Sequence, residues 1–106
     1  MKIGIISSKN FDHIELLESN LNLIKIDQII ADDMVGIPEY CQKNNISFRY
    51  VSLKSSKLDD PKILRVRQII DKSDRIIVCW DGRDPVCNVA IMVAAKNCKI
   101  QSIIEG

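Results

Sequence analysis

DRIIVCWDGRDPVCNVAIMVAA, residues 74–95, decides the fold. Its first seven residues are a short apolar run of β-branched and aromatic side chains, the pattern of a strand buried on both faces. Asp81-Gly82-Arg83-Asp84-Pro85 then breaks the run with turn residues. Val86 to Ala95 follows with apolar residues spaced as a helix, and nearly all round it. A fully buried strand leading at once into a helix is half of a parallel crossover unit.

The same unit recurs on either side. Lys2 to Ser7 (KIGIIS) reads as a strand, and Ile14, Leu17, Leu21 and Ile24 mark one face of the helix after it. Asp12, with Glu15 three residues on, is its expected N-cap. Asp27 to Ala31 is a second strand, and Gly36 to Asn45 a short helix with Pro38 in its first turn, closed by Asn44-Asn45. Ser47 to Leu53 alternates as a strand nearer the sheet edge. The polar stretch KSSKLDD, residues 54–60, is expected to be a mobile surface loop. Pro61 to Lys72 is a helix capped by Asp59 or Asp60, with Ile63, Val66, Ile69 and Ile70 inward, and Lys99 to Ile104 is a last strand. Five strands alternating with four helices predict a Rossmann-like α/β three-layer sandwich. Its parallel sheet has the order 3-2-1-4-5, and a ligand crevice opens beyond the carboxyl ends of the first and fourth strands.

Composition agrees and removes alternatives. The 106 residues, 46% hydrophobic, make one domain, which hides roughly 65% of the surface its unfolded chain exposes. With 15 Lys+Arg against 14 Asp+Glu and no cationic cluster, there is no footprint for a nucleic-acid backbone, so nucleic acid is not an expected partner. No run approaches the ~20 apolar residues of a membrane span, and the amino-terminal residues lack a cleavage signal, so a cytoplasmic location is expected. Cys41, Cys79, Cys87 and Cys98 form no CxxC pair and have one histidine, His13, to share a metal with, so reduced thiols without a metal site are expected.

Three stretches carry a resemblance. Ser7-Ser8-Lys9-Asn10-Phe11 after the first strand, Arg65-Val66-Arg67-Gln68-Ile69-Ile70 in the third helix and Cys79-Trp80-Asp81-Gly82 at the end of the fourth strand are similar to motifs of the SLOG superfamily. Within that Rossmann-like group the chain most resembles the small YspA-like branch. The resemblance implies a nucleotide or another phosphorylated small molecule bound at these loops. It also implies an alternative, a small nucleotide N-glycoside hydrolase of the phosphoribohydrolase kind. The chain departs from the family where a glycine-rich phosphate loop follows the second strand: here it reads Ala31-Asp32-Asp33-Met34-Val35-Gly36-Ile37-Pro38. Two carboxylates stand where backbone N–H groups approach an anion. Val86-Cys87 replaces the family's Gly-Thr after the fourth strand, and the glutamate of the hydrolases has no counterpart.

The resemblance therefore implies a binding domain without catalytic residues, or one with a decayed site that serves assembly. Ser7, Ser8, Lys9, Asn10, Gly36, Arg67, Asp81 and Gly82 are the expected ligand-binding residues, and no cofactor is indicated. Each has a structural reading beside the functional one. Arg67 either reaches a phosphate or pairs with Asp71 at i+4. Asp81-Gly82 either meets a ribose hydroxyl or makes a strand-to-helix turn. Trp80 either stacks on a base or packs. Cys87 is either a reactive thiolate at a helix start or a small buried hydrophobe, and His13 is a surface or capping residue. Asp32-Asp33 is either a cation or acid/base pair or a solvated turn, and serves, with Asp81, as base or metal ligand in the hydrolase alternative. The helix from Val86 to Ala95 carries a second apolar stripe, Ile91, Met92 and Ala95, beyond what a sheet face covers, and a homodimer through it is expected.

Overall fold

Isoleucine-rich runs with alternating side-chain direction build the centre of the molecule. In the computed structural model, which describes residues 1–8, 11, 13–31, 36–51 and 61–105, the strands are β1 (Lys2–Ser7), β2 (Gln28–Ala31), β3 (Ser47–Tyr50), β4 (Arg75–Trp80) and β5 (Ile100–Glu105). The helices are α1 (Ile14–Leu21), α2 (Ile37–Lys43), α3 (Pro61–Lys72) and α4 (Pro85–Lys96). All strand pairs are parallel, in the order β3-β2-β1-β4-β5. Ser7 pairs with Cys79, so β1 and β4 end together.

Successive side chains of each inner strand go to opposite faces and feed two cores. Ile3, Ile5, Ile29, Ala31, Ile77 and Cys79 pack under Leu17 and Leu21 of α1 and Ile37, Tyr40 and Cys41 of α2. Ile6, Ile30, Ile76 and Val78 pack under Val66, Ile69 and Ile70 of α3 and Cys87, Ala90 and Ala94 of α4. Gly4 lies on that second face, where a Cβ would fall 2.6 Å from Ile76 Cδ1 and 2.8 Å from Ile69 Cγ2. Its bare backbone is what lets α3 close onto β1.

The elements differ from expectation mainly at their ends. Ile24 keeps the helical spacing but α1 stops at Leu21, and Ile24 N–H bonds back to Leu21 O in a turn. The N-cap of α1 is His13, which makes no side-chain cap bond, in place of the expected Asp12; Asp12 itself lies outside the described residues. The closing Asn44-Asn45 is as expected, with Asn45 left-handed at φ 56°. Cys98, at φ 55°, closes α4 in the same way: Lys99 N–H reaches Ala94 O at 2.9 Å and Cys98 N–H reaches Ala95 O at 3.0 Å. In β4–β5 the register slips between Ile76 and Ile77, whose partners are Ile100 and Ser102, leaving Gln101 as an extra residue. Residues 54–60, with Asp59 and Asp60, lie outside the described residues.

Candidate functional site

At the carboxyl ends of β1 and β4 the chain turns through short-range hydrogen bonds that its own residue types dictate. Asp81 folds its carboxylate back, and Oδ1 accepts the N–H groups of Arg83 and Asp84, each at 2.9 Å. Gly82 takes φ 85° at the bend, with nothing within 4 Å of where a Cβ would be, so the backbone conformation alone calls for glycine there. Asp84 is the N-cap of α4, its Oδ1 accepting Val86 N–H at 2.8 Å, and Pro85 fills the first helical position. Trp80 Nε1 donates to Asp84 O at 3.2 Å, which joins the half-buried ring to the same turn.

Ser8 ties this turn to β1. Its N–H donates to Cys79 O at 2.8 Å, and its Oγ accepts Asp81 N–H at 3.1 Å. Ser8 Oγ and Cys87 Sγ are 3.4 Å apart, within hydrogen-bond reach, and Cys87 Sγ in turn lies 3.8 Å from Cys79 O. Ser8 is 3% exposed, so its hydroxyl serves the interior. Burial, with Cys87 close by, pushes the Cys79 thiol up to about 12. Cys79 is therefore a neutral core residue, Cys87 is fully buried beside it, and none of the four cysteines forms a disulfide. The Arg83 and Asp84 N–H groups hold the Asp81 carboxyl below the usual aspartate value, so it is an anion at neutral pH.

The expected site residues separate into three groups. Ser7, Ser8, Asp81 and Gly82 come together at the β1–β4 reversal. Gly36 stands apart as the N-cap of α2, left-handed at φ 91°, where a Cβ would sit 3.2 Å from Ile14 Cγ1 of α1. Arg67 is exposed on α3. Lys9 and Asn10, like Asp32 and Asp33, lie outside the described residues. Asp84 is the site residue that sequence reasoning undervalued: the Asp-Pro pair before an apolar helix is an N-cap signal, and it puts a second carboxylate at the mouth of the crevice.

A second concavity lies between the two helices on the opposite layer from α4. This open groove of about 390 Å³ is lined by Ile14, Glu18 and Asn22 of α1 and its following turn, and by Gly36, Tyr40 and Lys43 around α2. Tyr40 OH donates across it to Asn22 Oδ1 at 2.6 Å. Burial, and then the nearby Glu18 carboxylate, raise the Tyr40 phenol.

Compared with family models, curated proteins and solved structures, the chain matches none. Among the described residues no cluster of three or more His, Cys, Asp or Glu side chains is placed to hold a metal ion. Among the same residues, no helix is long and apolar enough to cross a membrane. At the crevice the α4 side is anionic, and Asp84 takes up an amide donor of its first turn. Among the described residues the first turn of α1 carries one acid, Glu15; the His13 side chain makes no cap bond there, and Leu16 N–H is taken by His13 O at 3.1 Å.

Proposed function

We propose that the chain is a non-catalytic binding domain of the SLOG type. Its ligand, a nucleotide or another phosphorylated small molecule, sits beyond the carboxyl ends of β1 and β4. The observation that carries this reading is the strand order, which reverses between those two strands and opens a crevice there. The asymmetry of the crevice orients the ligand. Its phosphate faces the first turn of α1, where the helix dipole favours an anion and, among the described residues, one acid (Glu15) stands against two on the α4 side. Its hydroxyl-bearing part faces the Asp81 carboxylate, an acceptor held in place by the Arg83 and Asp84 amides. A phosphate on the α4 side would meet Asp81 and Asp84. Binding without turnover is supported by what these two carboxylates already do, since each is engaged in holding the backbone of the α4 turn.

Thermal denaturation of the full chain with adenosine, guanosine, uridine and cytidine monophosphates and with ribose 5-phosphate tests this. A ligand at a hundred times its Kd adds about 2.7 kcal/mol, a rise of several degrees in Tm, with the ligand recovered unchanged. No shift at millimolar concentrations of any of these would sink the proposal. Release of free base from a monophosphate would replace it with the hydrolase alternative.

A further inference from the structure

The helices of this fold show charge to solvent, with one exception. α1 carries Glu15 and Glu18, α2 carries Glu39 and Lys43, and α3 carries Arg67, Asp71 and Lys72 on exposed or half-exposed positions. α4 has no charged residue from Pro85 to Ala95. Cys87, Ala90 and Ala94 account for its sheet-facing stripe and are fully buried. Away from the sheet, Pro85, Asn88, Met92 and Ala95 are exposed, Met92 at 64%, and Val89 is half-buried. The charges are gathered at the two ends. Asp81 and Asp84, against Arg83, stand at the amino end, and exposed Lys96 closes the carboxyl end. An apolar centre containing Met, emptied of charge and bordered by it, is the make-up of an interface core with a polar rim.

We propose that this face binds a second copy of the chain, the two α4 helices packing antiparallel about a two-fold axis level with Ala90. Charge complementarity selects both the occupant and the direction. In that arrangement Lys96 of the partner subunit comes level with Asp84, and Met92 lies against Asn88 of the partner subunit. A parallel pairing sets Asp84 against its own copy and Lys96 against its own copy. Antiparallel packing also opposes the helix dipoles, and an isologous contact closes on itself at two subunits. The pairing does not depend on any ligand. It also brings a further cation, Lys96 of the partner subunit, to the α4 turn beside Asp81, Arg83 and Asp84.

Sedimentation velocity of the full chain over about 5–200 µM reads the proposal directly. Wild type should sediment as a monomer–dimer equilibrium. Met92→Lys puts two ammonium groups into one dry centre, because the contact is symmetric, and should raise the dimer Kd about tenfold or more. Its far-UV circular dichroism, and its Tm at dilutions where both proteins are monomeric, should stay unchanged, since residue 92 is exposed in the monomer. Ala95→Glu is the second variant should Met92→Lys fail to fold, with the same expected weakening. Lys96→Glu should also weaken the dimer, and more at low salt, because it sets a carboxylate in place of the ammonium against Asp84 of the partner subunit. A wild type that stays monomeric at the top concentration overturns the proposal, as does a dimer whose Kd is indifferent to both Met92→Lys and Ala95→Glu. A Kd unmoved by Lys96→Glu overturns the antiparallel direction.

Discussion

At Ser8 one small residue joins three elements. Its amide closes onto β4, its hydroxyl accepts from the first residue of the turn, and the same oxygen touches the third residue of α4. Alanine at this position keeps the volume nearly constant but leaves the Asp81 N–H without its acceptor. We expect Ser8→Ala to lower the unfolding free energy by about 1–3 kcal/mol, read as a fall in urea midpoint at unchanged m. An unchanged midpoint would show that water replaces the hydroxyl and that the tie is incidental. The sequence showed Ser8 as a polar residue next to a helix start, which fits a ligand contact equally well. What decides its direction is an amide 73 positions away, and such pairing is visible only once β1 and β4 are side by side.

Strands and helices were legible because their apolar residues follow the periods of 2 and 3.6, and the ends were less so. α1 shows why: Ile24 continues the period and still packs on the core, but from a turn that leaves the helix at Asn22. The exit of α4 was hidden for a different reason. A left-handed C′ residue is usually glycine, and here it is Cys98 at φ 55°, so nothing in the residue type announces the motif. That mismatch makes an engineering prediction at the scale of the element. Cys98→Gly relieves a side chain from a region that costs L-residues about 1–2 kcal/mol, and should raise stability by about 1 kcal/mol and Tm by about 4–8 °C. Cys98→Ala keeps the strained Cβ and serves as the control. Equal melting temperatures for the two variants would mean that the strain is absorbed elsewhere.

Over the whole molecule the topology was legible and the electrostatics of the crevice only in part. Strand order follows from handed crossovers, which any βα alternation obeys. The state of Asp81 depends on which amides its carboxylate finds, and that is a property of the closed turn. The consequence appears in acid stability. Asp81, held by the Arg83 and Asp84 amides, and Asp27, held mainly by its hydrogen bond to the amino-terminal ammonium, both have pKa values lowered by folding. A carboxyl depressed in the folded state contributes stability that is complete above its unfolded value of about 4 and is lost as the pH falls through the folded value. In Asp81→Asn the amide oxygen still accepts the two N–H groups but does not titrate. Its Tm should therefore lie below that of wild type near neutral pH and fall less steeply as the pH drops from about 4 to about 2, so that the two proteins converge in acid. Parallel acid limbs in the two proteins would show that the turn contributes no proton linkage.

The extra residue in β5 has its effect on what the fold avoids. A parallel sheet with two open borders invites copies of itself to add strand by strand and grow without limit. β3 offers such a template only four residues long, and in β5 Gln101 interrupts the regular ladder near its start. Among the described residues, neither border presents a long, even row of amides and carbonyls for another strand to copy. With the sheet blunted at both margins, the pairing proposed for the α4 face would be satisfied once and would terminate instead of propagating into a filament.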